Sequence, residues 1–488
     1  MIAKSEREIR LDKLKELVRM GVDPYPGQTP EHQPLAEVKK LAVGEIAATV
    51  GRLNGLRTHG QASFLDLVAP DSLGGEEKLQ LYGQVDLLEE KYDLVKYLDL
   101  GDYLWVRGEF FLTKTGEPTL KLQDLVLLAK SLLPIPDSWQ GLKDTETRYR
   151  HRTLDFKINS RARQTIATRS KIIQATRQYF DQLGFLEIET PILQPIPGGA
   201  TAKPFVTRYN TLDANFYLRI SSELYLKRLV AGGFEKVYEI GPVFRNEGLS
   251  HMHSPEFTMC EFYWAYKNYR DLIILTEVFI RRLVKQITGQ TTITYQQHGL
   301  DFAKPFQVVR FMELFTTETG INLEKATNQV KLLAEIKKVG LELDSQPSTW
   351  AETVDELFKK AVRPKIIQPT FVIDYPIELS PLAKTKPGSP KIAERFQLLL
   401  AGGFELVNAY TEQNDPLLQQ ERFRDQAKLR QAGWDEAQMF DANYIESLKF
   451  GLPPTAGWGM GIDRLAMLLT DNYSIKEVIA FPTLRPEG

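Results

Sequence analysis

Two alternating apolar runs restrict the fold most. KVYEIGPVF, residues 236–244, and EFTMCEFYWAY, residues 256–266, both carry strand periodicity, and Gly248 and Pro255 bound the loop between them. In the second run Phe257, Met259, Glu261 and Tyr263 share one face, while Thr258, Cys260, Phe262 and Trp264 share the other. A glutamate among Phe, Met and Tyr is either an edge residue or a carboxylate aimed into a pocket.

The loop itself, RNEGLSHMHSP, joins an arginine able to grip a phosphate through two donors to two histidines. Zinc needs three or four ligands, and the chain offers one cysteine and four other histidines scattered along it. His253 is better used as a hydrogen-bond donor beside phosphate. On its own, one arginine in a hairpin is more often a surface salt bridge. No GxxxxGK[ST] or GxGxxG is present, so neither a P-loop nor a dinucleotide fingerprint accounts for phosphate binding.

At 488 residues the chain exceeds one core and implies two or three domains. Ser5 to Met20 has helical periodicity, with Ser5 as N-cap and Glu8 three residues later, and GVDPYPGQTPEHQP ends it. Strands are expected at 47–57, 62–68, 78–84, 102–113 and 118–129, with the helical insert LEEKYDLVKYL between the third and fourth. Five strands with a helix in that position suggest an OB-fold barrel, a fold that either binds oligonucleotides or serves as structure. SLLPIPDSWQG, residues 131–141, reads as a linker. Residues 151–488 mix long helices with strands and lack βαβ alternation, which favours an antiparallel α+β domain. The expected organisation is a helix and linker over 1–40, a barrel over 41–132, a linker over 133–150 and an α+β domain over 151–488. The N-terminal stretch is charged throughout, no run approaches a membrane span, and one cysteine fits a reducing compartment, so a cytoplasmic location with no membrane partner is expected. A net charge of -2 gives no global pull toward nucleic acid.

Several segments together resemble the lysyl-tRNA synthetases of the class II aminoacyl-tRNA synthetase family. FRNEG with HSPEFTMCEFY is similar to motif 2, GWGMGIDRLAMLL to motif 3, and GFLEIETPILQPIPGGATAKPF, with Pro191, to motif 1 and the segment after it. SSELYLKRLVAGG, VIDYPIELSPLAK and ELVNAYTEQNDP resemble further blocks in the family's order. The resemblance implies an OB anticodon domain, a class II catalytic domain and a homodimer formed through motif 1. It implies activation of L-lysine by ATP to lysyl-adenylate and transfer to the 3′ end of tRNA(Lys), with Mg2+ as cofactor. By the same resemblance Arg245 and Arg464 are the catalytic residues flanking the phosphates. Asn246, Glu247, His253, Phe257, Glu405 and Gly461 join them around ATP, and Gly459 lets the backbone approach it.

Gly199 and Glu223 correspond to the α-amino site, and Glu261, Tyr263, Asn408 and Glu412 to the side-chain pocket, with Glu412 the direct ammonium partner. Glu405 matches a metal ligand and Glu412 a further one. The second usual glutamate is Gln397, one residue further from Glu405 than the family spacing, with Glu394 as a substitute if the strand slips. Phe404 and Ser254 also depart from the pattern. In the barrel Arg57, Phe64 and Gln80 match anticodon-reading positions, Phe64 as an aromatic platform; burial in the barrel core is its alternative use. A protein-modifying lysyl-adenylate ligase and a non-catalytic RNA-binding paralogue are the competing readings. The anticodon domain speaks against the first, and Arg245, Glu405, Glu412 and Arg464 against the second.

Overall fold

The computed structural model describes residues 4–71, 73–135, 142, 144–431 and 438–487. The chain divides into two compact units, Met1–Ala167 and Thr168–Gly488. This boundary lies inside helix Ser160–Gln182 rather than at residue 151. Arg52 explains part of the difference, because it donates to the Lys157 carbonyl at 3.1 Å, and Arg163 donates to the Gly74 carbonyl at 3.1 Å. Residues 152–163 are thereby tied to the first unit. Of the expected linker, residues 136–141 lie outside the described residues.

In the first unit helix α1 (Glu6–Arg19) begins with the expected capping box, Ser5 accepting from Glu8 N and Glu8 from Ser5 N. Strands β1 (Ile46–His59), β2 (Ala62–Pro70), β3 (Glu76–Gln84), β4 (Tyr103–Leu112) and β5 (Pro118–Ala129) close into a barrel in the order β1-β2-β3-β5-β4. Period-two alternation fills it: Leu65 and Leu67 from β2, Leu79 and Leu81 from β3, Leu120 and Leu122 from β5 are buried. Arg57 on β1, Phe64 on β2 and Gln80 on β3 point outward, alternating with the core residues. Phe64 pairs with Arg57 on one side and Tyr82 on the other, and its ring lies 5.1 Å from that of Tyr82. Phe64 stands outside the barrel core.

The second unit is built on an eight-stranded sheet. Its strands are β6 (Leu186–Glu187), β7 (Lys236–Phe244), β8 (Glu256–Ala265), β9 (Gln307–Arg310), β10 (Thr370–Ile373), β11 (Arg395–Leu400), β12 (Phe404–Thr411) and β13 (Thr455–Gly461). The order is β9-β10-β11-β12-β13-β8-β7-β6, antiparallel except for the β9–β10 and β7–β6 pairs at the edges. The α+β expectation, a barrel followed by an antiparallel sheet, is met. Cys260, Phe262, Trp458, Met460, Val407 and Ala409 cover one face with a core that helix α2 (Tyr269–Thr288) closes. Trp458 stacks on Phe262 at 5.0 Å and donates to the Thr276 hydroxyl at 2.9 Å. The other face is left for different residues, because every side chain next to a core residue points away from the core.

Barrel stability should separate Leu65 from Phe64. Leu65→Ala is expected to cost about 2–5 kcal/mol in denaturant unfolding of the full chain, and Phe64→Ala less than half as much. Equal losses would return Phe64 to the core.

Candidate functional site

Four strands supply the floor of the site. Glu261 pairs across the sheet with Gly459, which pairs with Asn408, which pairs with Gln397; two residues along, Tyr263, Gly457, Tyr410 and Arg395 form a parallel row. The G-W-G-M-G pattern of β13 therefore puts its large side chains into the core and its glycines under the site. Above these rows lies a cavity of about 630 Å³. Of the residues singled out in the sequence, Gly199, Glu223, Arg245, Glu247, His253, Phe257, Glu261, Tyr263, Glu405, Asn408, Gly459, Gly461 and Arg464 line it. Asn246, Gln397 and Glu412 do not.

Acidic and aromatic groups gather at one end. Glu261 accepts from both Ser221 and Ser222 hydroxyls, at 2.9 and 2.6 Å, and from Ser222 N at 3.0 Å, at the start of helix α3 (Glu223–Ala231). Burial raises its pKa above the ordinary 4.5; the serine donors and Arg245 pull the other way, and Glu223 adds to the rise. Glu223 accepts from Tyr410 Oη at 2.8 Å. One turn later on α3, fully buried Lys227 forms ion pairs with both Glu223 and Glu412. Its Nζ also lies 5.7 Å from the Tyr263 ring centroid and 5.5 Å from that of Tyr410.

Glu412 belongs to the same cluster, although it does not line the cavity. Its carboxylate takes the room that Gly457 leaves free on the cavity face, where a Cβ would come within 2.0 Å of Glu412 Oε1 and 2.5 Å of the Tyr263 ring. Lys227 takes Oε2, and Oε1 has no hydrogen-bond partner. Three buried carboxylates, Glu223, Glu261 and Glu412, meet one buried ammonium. The end of the cavity is short of positive charge, and groups that already hold one lysine ammonium surround it.

The other end is cationic. Arg245, Lys359, Arg395 and Arg464 line it. Arg245 Cζ lies 5.1 Å from the Phe257 ring centroid, and Arg464 donates to the Glu405 carbonyl at 3.0 Å. Burial lowers the pKa of Arg245, offset by Glu247 and Glu261, and Arg464 lowers it further. Two guanidiniums held this close favour an anion between them. His253 is held below its ordinary pKa, chiefly by burial and then by Arg464 and Arg245, so its ring is neutral. Ser250 Oγ accepts from Met252 N and His253 N, leaving its hydrogen for His253 Nδ1 at 2.9 Å. The ring proton then sits on Nε2, a donor. His251 stacks on Tyr473 instead, and among the described residues no group of three or more His, Cys, Asp or Glu could hold a metal ion.

Of the expected metal residues, Gln397 has its side-chain oxygen engaged by protein donors. Gln397 Oε1 accepts from Tyr375 Oη at 2.7 Å and from Arg363 Nη2 at 2.9 Å, and the same Nη2 lies 3.1 Å from Glu405 Oε2. Both lone pairs of the amide oxygen are taken. The strand slip that would substitute Glu394 does not occur, since Arg395 and Gln397 keep the cavity-side rows. Burial works to raise the pKa of Glu405, but Arg363, Arg464, Arg395 and Lys359 outweigh it and bring it to about 2.

A family model described as tRNA synthetases class II (D, K and N) matches residues 144–485. The chain belongs to the class II tRNA synthetases. It is accordingly an ATP-dependent ligase, and the matched segment contains the whole cavity. The synthetase is 43% identical over 483 residues to the lysine–tRNA ligase of Carboxydothermus hydrogenoformans, covering 98% of each chain. It is 44% identical over 487 residues to that of Syntrophomonas wolfei, covering 99% of this chain and 97% of the relative, and 44% identical to that of a Roseiflexus species, covering 98% of each.

Sequence reasoning overlooked Lys227, Lys359, Arg363, Arg395 and Tyr410. Tyr410 was accessible, lying between Asn408 and Glu412 at period two. So was the Glu223–Lys227 spacing of four on a helix. Lys227→Met should destabilise the synthetase by about 3–5 kcal/mol, because Glu223 and Glu412 lose their shared cation. Adding Glu412→Gln should recover a large part of that loss in thermal and denaturant unfolding; a single variant as stable as wild type contradicts the ion cluster.

Proposed function

We propose that the synthetase is a lysine–tRNA ligase that activates L-lysine with ATP to lysyl-adenylate and transfers lysine to the 3′ end of tRNA(Lys). The observation that carries this reading is the acidic end of the cavity, where Glu223, Glu412, Tyr263 and Tyr410 already enclose the ammonium of Lys227 and, with Glu261, the buried carboxylates outnumber that ammonium. A substrate ammonium restores the balance, and its apolar stem lies along Tyr263. In this reading Glu261, Tyr263, Asn408 and Glu412, the last in the room left by Gly457, face the lysine side chain, and Gly199 and Glu223 hold the α-amino group.

The chemistry then falls between the two ends. A carboxylate oxygen of lysine attacks the α-phosphorus, the bond to the bridging oxygen breaks, and pyrophosphate leaves with the electron pair. Negative charge grows on both sides of phosphorus, and Arg245 and Arg464 neutralise it. Phe257 stacks on adenine, Glu247, Gly459 and Gly461 border the nucleotide, and His253 Nε2 donates to phosphate oxygen. Asn246, exposed and outside the lining, acts from the loop in this assignment. Glu405, on the cavity lining, would help hold magnesium with ATP, and the ion would supply further positive charge to the phosphates. In the second step a terminal ribose hydroxyl of tRNA attacks the lysyl carbonyl and AMP leaves.

On the barrel Arg57, Phe64 and Gln80 share an outward face, which suits stacking and hydrogen bonding to unpaired anticodon bases. Leu186, Ile192 and Leu193, in and after edge strand β6, are 41–49% exposed, which supports a homodimer through this segment. No described helix is long and apolar enough to cross a membrane, consistent with the proposed cytoplasmic site.

Amino-acid-dependent ATP–pyrophosphate exchange tests the assignment. Lysine alone among the twenty amino acids should support it; exchange with another amino acid overturns the pocket assignment, and none at all favours an RNA-binding paralogue. The KM for lysine should rise as pH falls through the raised pKa of Glu261, above 4.5, since protonation removes charge that attracts the ammonium. Glu405, at about 2, should stay ionised throughout and give no acid limb. A flat KM down to pH 4.5 would contradict the role of Glu261.

A further inference from the structure

Between β9 and β10 the chain forms a helical insert whose core includes Phe311, Phe315, Val354, Leu357, Phe358 and Val362. Its last helix, Trp350–Leu357, passes into a π-helical turn, Phe358–Val362, and then a 3-10 turn, Arg363–Lys365. Turns of the π type are rare and concentrate at functional sites. Phe358 packs on Phe311 with ring centroids 4.5 Å apart, and its burial together with Val362 fixes which way the turn faces. The next row along the helix, Asp355, Lys359 and Arg363 at spacings of four, is thereby turned out of that core.

Arg363, at the end of this row, ties the insert to the sheet, donating to Gln397 Oε1 at 2.9 Å and lying 3.1 Å from Glu405 Oε2. A Cβ on Gly403 would come within 2.5 Å of Arg363 Cβ, and Gly403 itself has a φ of +92°, so only glycine admits the insert this close to the β11–β12 turn. The strand pairing contributes as well. Leu398 faces Val407 but Leu399 faces Glu405, so Leu406 is an extra residue in a β-bulge, which brings odd-numbered Glu405 to the cavity side with even-numbered Asn408 and Tyr410. One turn before Arg363, Lys359 is held over the cationic end by a fixed support.

Lys359 lines the cavity and yet is 58% exposed, which puts its ammonium at the mouth. Its charge is felt inside. Burial, Arg464 and Arg245 hold the pKa of His253 down and Lys359 adds to them; against burial, Arg363, Arg464, Arg395 and then Lys359 hold that of Glu405 down. The one ion pair of Lys359, to Asp355 at 2.6 Å, is open to water and weak enough for a phosphate to replace. The neighbouring Lys360 and Lys365 pair instead with Asp344 and Glu318 and do not line the cavity. A lysine suits this place, because a compact charge on a flexible stem can follow a departing phosphate where a fixed guanidinium cannot.

We propose that Lys359 is a catalytic residue of the activation step, binding the outer phosphates of ATP at the cavity mouth and staying on them as pyrophosphate forms and leaves. The inference rests on the ATP-binding reading of the same cavity. As the bond between the α-phosphorus and the bridging oxygen breaks, its electron pair goes to pyrophosphate. Arg245 and Arg464 neutralise charge around the α-phosphorus, and Lys359 neutralises what arrives on the leaving group. No proton moves, since the ammonium stays charged throughout. In the reverse direction the same contact holds pyrophosphate for attack on the adenylate.

Lysine-dependent ATP–pyrophosphate exchange by the full-length protein, with ATP, pyrophosphate and lysine varied in turn, tests this. Lys359→Met should raise the KM for pyrophosphate by about tenfold or more and that for ATP in the same direction, while the KM for lysine stays within about twofold of wild type. Lys359→Arg keeps the charge and should recover most of the loss. Lys360→Met removes an equal charge from the adjacent position outside the cavity and should behave as wild type. An unchanged pyrophosphate KM in Lys359→Met, or the same loss in Lys360→Met, overturns the proposal. So does a loss confined to transfer of lysine from preformed adenylate to tRNA, which would place Lys359 on the tRNA instead. A wild type that binds lysine but neither binds ATP nor exchanges pyrophosphate contradicts the ATP reading itself.

Discussion

The alternation of β8, β12 and β13 governs everything else in the second unit. Because neighbouring side chains on a strand point to opposite faces, Phe262, Trp458 and Met460 can build a dry core only if Glu261, Tyr263 and the glycines of β13 face the other way. The same stretch of sequence thus supplies both the stability of the sheet and the floor of the cavity. A one-residue slip of β13 would bury Gly457 and Gly459 in the core and turn Trp458 into the substrate space.

Electrostatics then divide the cavity. The acidic end is held by Lys227, a buried cation too few for the carboxylates around it; the cationic end is held by Glu405, a carboxylate outnumbered by Arg363, Arg395, Arg464 and Lys359. Each end therefore carries an imbalance that a ligand of opposite sign relieves. A molecule with an ammonium at one end, joined through a carboxylate to a phosphate, fits this polarity in one orientation only. The geometry that selects the substrate is also the geometry that orients it for attack.

Much of this was legible in the chain. The barrel strands, the capping box at Ser5 and Glu8, and the two faces of 257–264 follow from local periodicity, which needs no knowledge of distant residues. Resemblance added residues such as Arg464 and Asn408, whose neighbours in space lie far away in sequence. What stayed hidden depends on pairing across long separations. Glu412 meets Lys227 from 185 positions away, in the room that Gly457 leaves free. Gln397 looked like a weakened ligand because Arg363, 34 residues earlier, could not be seen beside it. The bulge at Leu406 was equally invisible, since an extra residue in a strand becomes a bulge only when its partner strand fixes the register.

The claim on which the account rests is that an unmatched buried negative charge selects the substrate by its ammonium. Calorimetric titration of L-lysine against L-norleucine, which keeps the stem and lacks the amine, measures that directly. The account predicts that lysine binds and that norleucine is weaker by on the order of 10³-fold or more. Comparable affinities for the two would mean that the acidic end does not recognise an ammonium.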